Sequence, residues 1–161
     1  MKRAIAGVAL VAGLMVAGSA AAEKYRLVTG TDDMVVFINT DRTVIDGDIR
    51  TIWMTIVLKD VRVVDGKDGR YSMERWDVDC RKNRQRRQTV ALYTDDSDLI
   101  GSESIDGVWK DMLPDSLGDA VTKGACLPMP STKVLYDVDT ARLLTFSKRF
   151  FILGDLADQP E

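Results

Sequence analysis

The chain has 161 residues, 22 basic against 25 acidic, and a formal net charge of −3. It contains no histidine and only two cysteines, Cys80 and Cys126. The missing histidine removes Ser-His-Asp and Cys-His hydrolase chemistry, histidine-containing zinc sites and the commonest general acid–base. The acidic balance argues against a general nucleic-acid binder. Phosphate-binding loops, a G-x-S-x-G elbow and an S-x-x-K dyad are all missing, so the expectation is a protein without catalysis, metal or cofactor.

The N-terminus opens with Lys2 and Arg3, continues as an apolar run from Ala4 to Ala17, and ends in Ser19-Ala20-Ala21-Ala22. Basic segment, apolar segment and small-residue cleavage site in that order predict a secretory signal over residues 1–22. The run is shorter than the roughly 20 apolar residues that span a bilayer. Cleavage before Glu23 leaves a net charge of about −5, because Lys2 and Arg3 leave with the signal. No cysteine at the boundary offers a lipid anchor, and no later segment has spanning length. The expectation is one exported domain over 23–153, periplasmic or secreted, with a polar tail over 154–161.

The first two-thirds of this domain read as strands separated by turn chemistry. Met34–Ile38 is rich in β-branched and aromatic residues, and Asp46-Gly47-Asp48 marks a turn. Ile49–Lys59 carries apolar residues on both faces, as suits a central strand. Asp65–Gly69 reads as a hairpin loop before a strand from Tyr71 to Cys80. In that strand Trp76, Val78 and Cys80 point one way and Arg75, Asp77 and Asp79 the other. A tight turn at Lys82-Asn83 leads into a strand ending near Tyr93, and Asp95–Asp98 turns into Leu99–Ile105.

The pattern then changes. Ser116, with Asp119 three residues on, resembles a capping box for a short helix ending near Gly124, with Leu117 and Val121 buried. In an exported chain Cys80 and Cys126 are expected to pair, tying this helix to the Trp76–Cys80 strand. The loop so closed predicts about 4 kcal/mol of stabilisation. Pro128 and Pro130 mark a connector. Beyond it, a helix from Asp139 or Thr140 to Phe151, with Leu143, Phe146 and Phe150 in one stripe, competes with a strand over 143–152. The fold class is therefore α+β: an antiparallel meander with a short disulfide-tethered helix packed on it, and a second C-terminal helix as one of two readings.

Several of these positions occur together in one family. Val36–Thr40 resembles its opening strand and Arg50–Trp53 its second. Trp76-Asp77-Val78-Asp79-Cys80 followed by Arg84, Arg86 and Tyr93 is similar to its central hairpin. Trp109, Leu113–Gly118 and Cys126 look like its closing segment. The chain thus resembles the surface-adhesin protein E-like domains of Gram-negative bacteria over about 36–126. The resemblance implies a small antiparallel sheet with a packed helix, and adhesins that bind host extracellular proteins. Those adhesins are typically lipid-anchored, whereas this chain lacks an anchoring cysteine, and its tail after Cys126 is longer.

Three features invite a functional reading. Arg81, Lys82, Arg84, Arg86 and Arg87 place five positive charges in seven residues, a candidate site for an acidic protein segment or an anionic glycan. The competing reading is local neutralisation: a Lys82-Asn83 turn sets Asp79 across from Arg86 and Asp77 across from Gln88. Asp95, Asp96 and Asp98 lack the spacing of a calcium loop and read as an acidic turn. Trp53, Trp76 and Trp109 form either a platform or packing. The function expected is a non-catalytic exported module that binds a macromolecule through a sheet face or the arginine hairpin. The alternative is a periplasmic accessory or structural protein with a cell-envelope partner.

Overall fold

The computed structural model describes residues 22–128 and 134–153, with backbone alone over 134–137. Six strands follow one another as antiparallel neighbours: β1 (Glu23–Gly30), β2 (Met34–Asp46), β3 (Ile49–Val64), β4 (Lys67–Asp79), β5 (Arg84–Tyr93) and β6 (Leu99–Ser104). A two-residue strand, β7 (Lys110–Asp111), pairs with the start of β5. After helix α1 (Leu117–Cys126), β8 (Val134–Val138) adds to the free side of β1, and helix α2 (Thr140–Leu153) closes the described chain.

Strand β1 is additional to the strands read from sequence, which begin at Met34. On the α2 side it contributes Tyr25 and Leu27, and on the α1 side Val28, interleaved with Lys24 and Arg26. The strand is stabilised by neighbours on both sides rather than by its own pattern. The loop expected over 65–69 contracts to Asp65-Gly66. Both residues adopt positive φ, 50° and 74°, as a two-residue hairpin turn requires, and Lys67–Gly69 join β4.

Strands β2 and β3 are apolar on both faces, so both faces must be covered. On one side Val35, Phe37, Val57 and Tyr71 meet Leu143, Leu144 and Phe150 of α2. On the other, Val36, Ile38, Ile52, Met54 and Val78 meet Val121 of α1, with Ala125 and Cys126 alongside. The C-terminal segment is therefore a helix and not a strand. Leu143, Leu144, Ser147 and Phe150 form a buried stripe of helical period, and Asp139 Oδ1 accepts the Arg142 N–H at 2.8 Å.

Helix α1 begins as its sequence suggests: Ser116 Oγ accepts the Asp119 N–H at 3.2 Å. It does not stop near Gly124 but continues through Cys126. Gly124 serves close packing rather than termination, since a Cβ there would lie 3.1 Å from Val28 Cγ2 and 3.4 Å from Ile38 Cδ1. The Cys80–Cys126 disulfide forms across 46 residues with Cα atoms 5.7 Å apart, and joins the end of the β4 segment to the last turn of α1. Replacing both cysteines by serine is expected to lower unfolding free energy by about 4 kcal/mol. Denaturant titration of oxidised and double-serine proteins checks this; equal midpoints would contradict it.

Candidate functional site

The β4–β5 hairpin turns through Cys80–Asn83, with Asn83 at φ 50°. Its register differs by two residues from that of a turn at Lys82-Asn83. Asp79 lies opposite Arg84, and Asp77 opposite Arg86. The loop is wider because Cys80 is drawn to Cys126 while Asp79 Oδ1 accepts the Lys82 N–H at 3.0 Å, closing the turn from within. A bulge then places Gln88 beside the ladder, since Arg75 pairs with Thr89 and Trp76 with Arg87.

Asp77 is the hub of this region. Thr51 Oγ1 donates to its Oδ1 at 2.7 Å; Arg86 Nε and Nη2, both at 2.9 Å, and Gln88 Nε2 at 2.7 Å donate to its Oδ2. Burial alone would push this carboxyl up. The three side-chain hydrogen bonds and the Arg86 charge outweigh burial and hold it below the usual carboxylate range. Asp79 is similarly lowered: burial raises it, but the Lys82 backbone N–H and Arg84, 3.1 Å away, win.

The five candidate cations do not form one free cluster. Arg84 and Arg86 pair with Asp79 and Asp77, Arg81 with Asp48 at 3.1 Å, and Arg87 more loosely with buried Glu74 at 3.8 Å. Lys82 is exposed on the turn. Trp109 lies against Arg84 and Arg86, its ring centroid 4.7 and 4.8 Å from the two guanidinium carbons. Pairing with acids leaves the outer faces of the guanidinium groups available for stacking, and their positive charge is locally balanced.

The tryptophans do not make a single platform. Trp76 belongs to the α1 face, packed on the Val36–Val78 cluster. Trp53 is the register partner of Arg75, so it shares the opposite face with Arg75, Asp77 and Arg86. Helix α2 covers only the far half of that face, around Phe37, Val57 and Tyr71. The near half presents half-buried Trp53, Arg86 and Trp109 and exposed Arg75. Next to it opens a cavity of about 380 Å³ bounded by Trp53, Tyr93, Met73, Asn39, Arg42 and Asp139. Its polar wall is held by Glu23, which accepts from Asn39 Nδ2 at 2.6 Å, Arg42 Nε at 2.5 Å and the Tyr25 hydroxyl at 3.1 Å. Burial, with the Glu23 charge, pushes the Tyr25 phenol up to about 12.

Sequence reasoning marks Arg84, Arg86, Trp53 and Trp109 but neither Arg75 beside Trp53 nor the Glu23 network. These lie on strands distant in sequence, and only register brings them together. Asp95, from the acidic turn, pairs with Lys148 at 2.7 Å. Among the described residues no cluster of three metal-ligating side chains occurs, and no helix is long and apolar enough to cross a membrane.

A two-faced antiparallel sheet stapled to one helix and displaying arginine and tryptophan has the make-up of a binding module. The surface-adhesin protein E family matches residues 25–127, and the chain belongs to that family. Among solved structures, crystal form II of Haemophilus influenzae protein E is similar at 14% identity and TM-score 0.50, covering 74% of this chain and 96% of that one. At that identity the likeness is one of fold. No curated protein matches the chain. The family match includes most of β1.

Replacing Asp77 by Asn removes the charge that orders Thr51, Arg86 and Gln88. The expected loss at neutral pH is about 2 kcal/mol. Because the folded carboxyl is lowered, its contribution is present above the ordinary carboxylate value and lost as pH falls through the folded one. Unfolding curves from pH 7 down to 3 should therefore show a shallower acid dependence for the D77N protein. An unchanged slope would contradict this role.

Proposed function

We propose that the chain is an exported, non-catalytic binding module that engages a protein partner through the near half of the α2-side face. The observation that carries this reading is the half-exposed set Trp53, Arg75, Arg86 and Trp109 beside a cavity able to receive a partner side chain. Tryptophan and arginine around a pocket are the composition of protein-binding hot spots. Of Arg81, Lys82, Arg84, Arg86 and Arg87, the four arginines already face Asp48, Asp79, Asp77 and Glu74, which favours a protein partner over an anionic glycan. Export rests on the signal sequence over 1–22, whose first 21 residues lie outside the described residues, as does the tail over 154–161. Strand β1 begins at Glu23, immediately after the proposed cleavage point. The compartment is the periplasm or the exterior.

Expressed in a Gram-negative host, the full chain should be recovered outside the cytoplasm with Glu23 as its first residue, as read by N-terminal sequencing. A photo-crosslinking residue at position 75 should give discrete adducts with an extracytoplasmic protein or an added extracellular-matrix protein. The same residue at Glu103, on β6, should give none. Equal labelling at both positions, or retention on heparin that Arg81→Glu and Lys82→Glu abolish, would contradict the protein-partner reading.

A further inference from the structure

The opposite face of the sheet carries a second, larger concavity. It has a volume of about 570 Å³ and lies between α1 and the segment from Ile105 to Met112. Val36, Met54, Ile56 and Trp76 make its floor, and Leu117 and Val121 of α1 form one wall. The other wall is a strap fixed to β5. Ile105 N–H donates to Gln88 O at 2.7 Å, β7 pairs with Arg84 and Gln85, and Met112 N–H donates to Asn83 O at 2.9 Å. Gly107 lies so close to this strand that a Cβ would fall 2.1 Å from Arg87 O. Gln85 Nε2 ties the floor to α1 through Gly118 O at 2.7 Å and Thr122 Oγ1 at 2.8 Å. The walls are thus held by backbone and buried polar bonds, and the space between them is preformed.

Its charge is the reverse of the protein's. Arg86, Arg87 and Lys110 line it against one acid, Asp106, in a chain of net charge −3. Arg86 is committed to Asp77 on the other face. Lys110 is the register partner of Gln85, and Arg87 lies two residues from Gln85 on β5, so both cations rise at the same rim. The Arg87–Glu74 separation, 3.8 Å, exceeds hydrogen-bond length. Glu74 already accepts from Trp76 Nε1 at 2.9 Å and Ser72 Oγ at 3.1 Å. Arg87 can therefore face a second anion without leaving Glu74 unpartnered.

We propose that this groove binds a small amphipathic acid, its apolar body on Trp76, Met54 and Ile56 and its acidic head between Arg87 and Lys110. The volume is that of a small-ligand site, and cations gathered at one rim fit a ligand charged at one end only. A free fatty acid and the acid-bearing end of a lipid share this chemistry.

The test uses the full exported chain and decanoate as probe, followed by NMR shifts or Trp fluorescence, with decanol as the uncharged control. Saturable one-to-one binding is expected, with shifts at Trp76 and Val121 and decanol at least ten-fold weaker. Arg87→Gln and, separately, the fully surface-placed Lys110→Gln should each weaken decanoate several-fold and leave decanol unchanged. Leu117→Trp, filling the groove, should weaken both. Co-sedimentation with phosphatidylglycerol vesicles that Arg87→Gln abolishes assigns the acid to a lipid; decanoate binding without co-sedimentation assigns it to a free acid. Equal affinity for decanoate and decanol, no binding at all, or shifts confined to the α2 side would overturn the proposal.

Discussion

The constraint from which the rest of the structure follows is that β2 and β3 are apolar on both faces. Val35 and Phe37 look one way, Val36 and Ile38 the other, and all four are fully or almost fully buried. A sheet with such strands at its centre is stable only if each face is covered. Two short helices do this, one per face, and neither is long enough to cover a whole face. The disulfide fixes where α1 lies, and the Leu143–Phe150 stripe fixes α2. Each helix leaves part of its face open. On the α2 side that part holds Trp53, Arg75 and Trp109; on the α1 side it is the apolar groove.

The open parts hold their shape through polar chemistry. On the α2 side, Asp77 gathers donors from β3 and β5, and Trp109 stacks across two of the arginines. On the α1 side, Gln85 spans from β5 to α1, and Glu74 holds the Trp76 indole. A binding surface built this way loses less conformational freedom when a partner arrives, because Arg84, Arg86 and Gln85 are already held by their partners. That is an economical design for a small module with a single disulfide.

Much of the frame was legible in the residues. The two-sided apolar pattern of Ile49–Lys59 identified a central strand, Ser116 and Asp119 marked the start of α1, and the two cysteines paired as an exported chain suggests. The misplacements have physical causes. β1 is not legible because three apolar residues, Tyr25, Leu27 and Val28, divided between two faces and mixed with Lys24 and Arg26, give no strand pattern until β2 and β8 flank them. The hairpin register slipped by two because a disulfide at Cys80 widens a turn that sequence alone would draw tightest. Gly124 read as a helix end because a glycine chosen for contact with Val28 looks like one chosen for a cap. The site was less legible than the fold. The arginines stand out as a run with Asp77 and Asp79 across from them, though two residues out of register, whereas the pairing of Arg81 with Asp48 and of Arg87 with Glu74, and the grouping of Trp53 with Arg75, come only from the fold.

The central claim is that the near half of the α2-side face is a rigid, preformed surface anchored on Asp77. Native-state hydrogen exchange measures this directly. Backbone amides hydrogen-bonded within the ladder over 75–78 and 84–88 should exchange only through global unfolding, with the same free energy as those of Ile52 and Met54 in β3. Exchange of the 84–88 amides through local opening, orders of magnitude faster than β3 under the same conditions, would show a hairpin that is ordered only on binding and would contradict the account.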